Sequence, residues 1–77
     1  MLVILHNIRS SHNVGSIFRT ADAAGVRKIY LAGITPAPVD KYGRTNARLT
    51  KVSLGAEISV PWQKAVSTTA LVAQLKR

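Results

Sequence analysis

The side chains best suited to chemistry crowd into one stretch. Asn7, Arg9, Ser10, Ser11, His12 and Asn13 make a polar corner, and Arg19 follows six residues later. Val14, Ile17, Phe18 and Ala21 obey the i, i+3, i+4, i+7 rule and predict one buried helical stripe. At ~100° per residue, Arg19 falls roughly 150° from the centre of that stripe, on a face shared with Gly15 and Ser16. Gly15, one turn before Arg19, has no side chain. A substrate or a second chain can therefore come close to the backbone there, with a guanidinium beside it. On an arbitrary helix such an arginine is merely solvated; the polar corner ahead of it argues for more. A guanidinium holds its proton above a pKa of ~12 and is a poor general base, so orienting a ligand and stabilising charge suit it better. Histidine is the side chain whose ordinary pKa lies near neutrality, and His6 and His12 are the two present. His12 could shuttle a proton, or simply hydrogen-bond or cap the helix.

These residues need elements to hold them. Met1 to Leu5 is a continuous apolar run, as in a strand buried on both faces of a parallel sheet. Asn13, or one of Ser10 and Ser11, can cap the helix that follows, and Gly25 suits its far end. Lys28 to Ala32 is a second strand ending at Gly33, and the interval fits a right-handed βαβ unit with parallel strands. Ligands of such sheets sit at the carboxyl ends of strands, where Asn7–Asn13 and Gly33–Pro36 both fall. Ala37 to Asn46 is an exposed loop whose tip carries Asp40, Lys41, Tyr42 and Arg44. It is either a solvated linker or a lid that contacts RNA, with Tyr42 stacking on a base and Lys41 and Arg44 set against phosphates. A helix is predicted over Ala47 to Ala56, capped by Thr45 or Asn46, with Leu49, Val52 and Ala56 inward and Arg48 and Lys51 outward. Glu57 to Val60 reads as a short strand stopped by Pro61, with Trp62 plugging the edge of the core. Ser67 to Arg77 reads as a last helix, with Thr68, Leu71, Val72 and Leu75 on one side and a basic end, Lys76-Arg77, that suits its dipole. The predicted fold class is α/β: an open parallel sheet, βαβ and then loop, helix, strand, helix.

Composition sets outer limits. Seventy-seven residues make one small domain that buries a modest share of its surface. With no cysteine, neither a disulfide nor a thiolate metal site can staple it. Eleven Lys and Arg stand against Asp22, Asp40 and Glu57, a net charge of +8, which favours polyanionic partners, nucleic acid above all. A membrane role fits poorly. The opening apolar run is too short for a signal-peptide core, and no run approaches the ~18 to 20 apolar residues of a spanning helix. A cytoplasmic location is the expectation.

The pattern Asn-x-Arg-Ser-x-x-Asn-x-Gly-x-x-x-Arg-Thr-Ala, from Asn7 to Ala21, resembles the first signature motif of the SpoU (TrmH-like) branch of the SPOUT RNA 2'-O-methyltransferases. Lys51 to Trp62 is similar to a block further along in the same proteins. The resemblance implies transfer of a methyl group from S-adenosylmethionine to a ribose 2'-hydroxyl of tRNA or rRNA. By that resemblance Arg19 matches the arginine credited with activating the hydroxyl, and Asn13 the asparagine that supports it. Asn7, Arg9, Ser10, His12, Lys41, Tyr42, Arg44, Arg48 and Lys51 would then contact the RNA.

The resemblance also implies what lies elsewhere. Relatives hold the cofactor in a C-terminal trefoil knot built on a Gly-x-Glu-x-x-Gly motif. Gly55-Ala56-Glu57 imitates its start, but Val60 stands where the second glycine belongs. Residues 1–77 are therefore expected to be the N-terminal portion of the methyltransferase domain, without the cofactor pocket, and inactive alone. Relatives work as homodimers, so a homodimer is expected of the full-length protein. The alternative is a basic RNA-binding remnant or accessory module without catalysis. A nucleotide-binding α/β fragment is disfavoured, because no Gly-rich phosphate loop is present.

Overall fold

An apolar run, an amphipathic helix and a second apolar run fold as their patterning requires. Strand β1 (Leu2–His6), helix α1 (Ser11–Ala24) and strand β2 (Lys28–Ala32) form a unit whose strands run parallel. The computed structural model describes residues 1–40 and 42–76. Helices α2 (Ala47–Ser53) and α3 (Ala56–Ser59), strand β3 (Trp62–Ala65) and helix α4 (Thr68–Leu75) complete the described order. Strand β3 pairs with β2, also in parallel, so the described sheet reads β1-β2-β3.

Side chains alternate across a sheet, and the register puts Val3 and Leu5 in rows with Ile29 and Leu31. That face is covered by Val14, Phe18 and Ala21 of α1, Leu49 of α2, Ala56 of α3 and Val60. Val14, Phe18, Ile29, Leu31 and Leu49 are wholly buried. Each contributes about 1.5–3 kcal/mol relative to exposure, so α1 is fixed to the sheet by its apolar stripe. His6, Tyr30 and Ala32 face the other way. Thr68, in the first turn of α4, meets His6 Nδ1 through its hydroxyl on that side.

Helix α1 starts where Ser10 Oγ accepts from the Asn13 N–H at 3.1 Å. Of the three candidate caps, Ser10 is the one used. Gly25 ends the helix at φ 72°, a backbone conformation that costs glycine little.

The fold departs from the sequence expectations at four places. Strand β1 lies at an edge of the described sheet, and Leu5 is its one buried residue; burial on both faces needs layers packed over both faces of the sheet. The helix expected to run to Ala56 stops at Ser53, because Leu54 and Gly55 both take positive φ (52° and 87°). Glu57 to Val60 is not a strand. Residues 56–59 form α3, closed by Ile58 N–H to Gly55 O and Val60 N–H to Ala56 O. The short strand comes instead at Trp62–Ala65, so Trp62 opens β3 while packing half-buried against the core. The last helix covers Thr68–Leu75, with Ser67 as its cap and Lys76 at its end; Arg77 lies outside the described residues.

Candidate nucleic-acid interface

Two loops leave the carboxyl ends of β1 and β2 side by side, and neutral polar groups lock them together. Thr35 is fully buried. Its hydroxyl reaches the carbonyls of Leu5 (3.0 Å) and Ala32 (2.8 Å) and accepts from Ile8 N–H at 3.2 Å. Asn7 adds a second tie. It sits at φ 54°, tolerable for asparagine, donates its backbone N–H to Ala32 O and accepts from Ile34 N–H at its Oδ1. Its amide nitrogen donates to His6 Nε2 at 3.2 Å. These bonds fix the corner from which Arg9 and the first turn of α1 project.

Helix α2 packs beside that turn. A methyl group added at Gly15 would lie 2.4 Å from Leu49 O and 3.0 Å from Val52 Cβ. The bare backbone at Gly15 is therefore filled by the chain's own α2, and the expected approach of a substrate or second chain at that point does not occur. The two helices instead enclose a groove of about 590 Å³ lined by Arg9, Ser10, Ser11, His12, Arg48, Lys51 and Val52. Three permanent cations meet there, with no acid among the lining residues. The first N–H groups of α1, unpaired within any helix, add positive potential at the same end.

Five sequence-predicted RNA contacts (Arg9, Ser10, His12, Arg48 and Lys51) thus converge in one groove. The Arg19 side chain is exposed and makes no ion pair or hydrogen bond with any described residue. It shares the face of His12 two turns along, about 10.5 Å at 1.5 Å per residue. Asn13 is exposed as well, but six residues from Arg19 place the two about 120° apart around the helix. Within the chain they do not touch as neighbours, and a shared ligand is what can join them. Asn7 stands outside the groove, with both its amide oxygen and nitrogen engaged as described.

Tyr42 and Arg44 sit apart, on a small hairpin closed by the antiparallel bridge between Val39 and Thr45. Asp40 organises it. Its carboxylate accepts from the N–H groups of Tyr42 (2.8 Å) and Arg44 (2.9 Å) and pairs with Arg44 Nε at 3.1 Å. The backbone bond from Arg44 is the largest influence on Asp40; desolvation opposes it, but the Tyr42 backbone bond and the Arg44 charge and side-chain bond add to it, so the Asp40 pKa lies below its usual value. Arg44 also lies 5.2 Å from the centre of the Tyr42 ring, a cation–π distance. Lys41 falls outside the described residues.

A second cleft, about 760 Å³, runs between this hairpin and β3 and is lined by apolar groups such as Ile34, Pro36 and Trp62. Its cations are already engaged: Arg44 with Asp40, and Lys64 Nζ with the carbonyls of Gly33 and Thr35. Partial burial lowers the Lys64 pKa. Glu57 accepts the buried Ser53 hydroxyl, and an added Cβ at Gly55 meets open space. Gly55-Ala56-Glu57 thus forms the start of α3.

Sequence reasoning missed Thr35 and the tie made by Asn46, whose Nδ2 donates to Ser11 Oγ at 3.0 Å. Asn46 had one visible signal, its place as a helix cap. Thr35 had none beyond its position after β2. Among the described residues no helix is long and apolar enough to cross a membrane.

Known proteins resemble this chain in sequence and in fold. The SpoU rRNA methylase family model matches residues 1–77. The 23S rRNA (guanosine-2'-O-)-methyltransferase RlmB of Neisseria meningitidis serogroup B is 37% identical over 76 residues, covering 99% of this chain and 28% of that protein. RlmB of Escherichia coli K12 is 40% identical over 60 residues, 78% of this chain and 22% of that protein. The SpoU methyltransferase AviRb of Streptomyces viridochromogenes, solved with AdoMet, has the same fold, with a TM-score of 0.81 at 24% identity over 99% of this chain and 26% of its own. The chain thus spans about a quarter of the length of these relatives. The match along its whole length assigns it: this chain belongs to the SpoU rRNA methylase family.

Proposed function

We propose that this chain is the RNA-gripping part of a ribose 2'-O-methyltransferase, its groove between α1 and α2 holding the phosphate backbone of tRNA or rRNA. The convergence of Arg9, Arg48 and Lys51 in one groove without an acid carries this reading. Guanidinium and ammonium groups at a helix N-terminus match phosphate in charge and in hydrogen-bonding geometry. His12, Ser10 and Asn13 offer further hydrogen bonds at the same end to phosphate or sugar. Arg19, two turns along, reaches the next part of the strand and orients the target ribose, stabilising charge as its 2'-hydroxyl reacts. Tyr42 and Arg44, held out on their hairpin, extend the contact surface, and Lys41 belongs with them. The methyl group comes from S-adenosylmethionine in the whole enzyme. No step of transfer is assigned to Gly55-Ala56-Glu57. The whole enzyme works in the cytoplasm, as a homodimer.

Binding of a short fluorescein-labelled RNA hairpin, followed by anisotropy over a salt series, tests this. A phosphate contact adds about 0.7–0.9 to the slope of log K against log salt. Neutralising Arg9, Arg48 and Lys51 together should flatten the slope by about 2.1–2.7 and weaken binding at low salt. An unchanged slope would sink the proposal. Val60, standing where the cofactor motif has its second glycine, favours a second reading, RNA binding without catalysis. Turnover separates the two: methylation of RNA with S-adenosylmethionine by a complete enzyme containing this segment, lost on Arg19→Ala, would exclude that reading.

A further inference from the structure

The groove presents a physical problem that its charges cannot solve. Arg9 comes from the corner before α1, Arg48 and Lys51 from α2, and no acid lies between them. Like charges facing each other push their supports apart. Hydrophobic burial of Leu49 holds the inner side of α2, and the Gly15 contact sets how closely the helices approach. Neither fixes the outer rim, where the cations are.

Among the described residues one side-chain hydrogen bond joins the two walls. Asn46 Nδ2 donates to Ser11 Oγ at 3.0 Å, joining the first residue before α2 to the first residue of α1. The same side chain accepts from Leu49 N–H at its Oδ1, capping α2. Its backbone N–H donates to Pro38 O at 2.8 Å, at the base of the hairpin that carries Tyr42 and Arg44. Asn46 therefore meets three things at once: the α1 wall, the α2 wall and the hairpin. The paired serines divide their work, Ser10 capping α1 and Ser11 receiving the cross-tie.

We infer that Asn46 and Ser11 are positioning residues that set the spacing of Arg9 against Arg48 and Lys51, so that all three reach one RNA backbone together. They act through the cations: Asn46 does not line the groove, and Ser11, which does, has its hydroxyl oxygen engaged by Asn46. This rests on the reading of the groove as a phosphate site.

The test uses the full chain and the labelled RNA hairpin, at a temperature where circular dichroism shows every variant folded. Asn46→Ser keeps a cap of equal quality but is too short to span to Ser11. Ser11→Ala removes only the acceptor, and Ser11→Thr retains it. Asn46→Ser and Ser11→Ala should each weaken RNA binding about 3- to 10-fold, the weight of one hydrogen bond. The double variant should be no weaker than either alone, and Ser11→Thr should bind like the parent. A lost cap alone would move thermal stability and leave affinity unmoved. If Arg9→Gln and Arg48→Gln weaken binding while Asn46→Ser and Ser11→Ala do not, the positioning role is overturned and the groove stands. If the arginine variants bind like the parent, the groove reading itself fails.

Discussion

Gly15→Ala is the sharpest perturbation the fold offers, because two effects of known sign oppose each other. In an unconstrained helix the change stabilises by about 1 kcal/mol, through helix propensity. Here the new methyl carbon would lie 2.4 Å from Leu49 O, a backbone atom, and 3.0 Å from Val52 Cβ. Ordinary contact begins at 3.4 Å, so α2 must retreat by about 1.0 Å. Overpacking of this kind costs roughly 1–3 kcal/mol, which leaves a net loss of up to about 2 kcal/mol once the propensity gain is subtracted. Urea unfolding followed by circular dichroism measures it, with Ser16→Ala on the same helix as a control that meets no such wall. The retreat also carries Arg48 and Lys51 away from Arg9, so RNA affinity should fall in the folded variant. Should Gly15→Ala gain the full helix-propensity increment and bind RNA unchanged, the close packing of α2 on α1 would be wrong, and the groove with it.

Other perturbations probe the remaining supports. Thr35→Val keeps the shape of a buried side chain but strands Ile8 N–H; it should cost about 1–3 kcal/mol, read as a lower urea midpoint with unchanged slope. The hairpin should loosen in acid. Asp40 has a folded pKa below its unfolded one, so its contribution is complete above the usual aspartate pKa of about 3.9 and is lost as pH falls through the lower folded value. Proton NMR shifts of the Tyr42 and Arg44 amides should show that transition, and Asp40→Asn should abolish it. In a complete enzyme containing this segment, Arg19→Ala should abolish methylation and leave RNA affinity nearly intact; a large loss of affinity with turnover preserved would refute the assigned role.

Patterns that repeat along the chain were legible in the sequence. The stripe Val14, Ile17, Phe18 and Ala21 marked α1, and the run Lys28–Ala32 gave β2 with its bounds intact. Where two periodicities compete, the pattern misleads. Ile58 and Val60 alternate as in a strand, yet Ala56 and Val60, four apart, are the buried pair, and that spacing belongs to a helix turn. What decides between them is the positive φ of Leu54 and Gly55, which breaks α2 and restarts the chain in a new direction. A leucine in that conformation carries no sequence signal, since leucine disfavours it.

The site divides along a similar line. Its cations were visible because charge can be read residue by residue, and five of the proposed contacts do share a groove. Their grouping was not visible, nor was the separation of Asn7, because both depend on which loop meets which. A concentration of like charge cannot hold itself together, and an acid placed among the cations would cancel the potential that attracts RNA. The groups that hold such a groove must therefore be neutral: a missing side chain at Gly15, a hydroxyl at Ser11, an amide at Asn46, a buried hydroxyl at Thr35. Each looks ordinary in the sequence, and each acquires its role only across a gap of 27 to 35 residues. In a groove built from like charges, the determinants of geometry are the residues that a search for charge passes over.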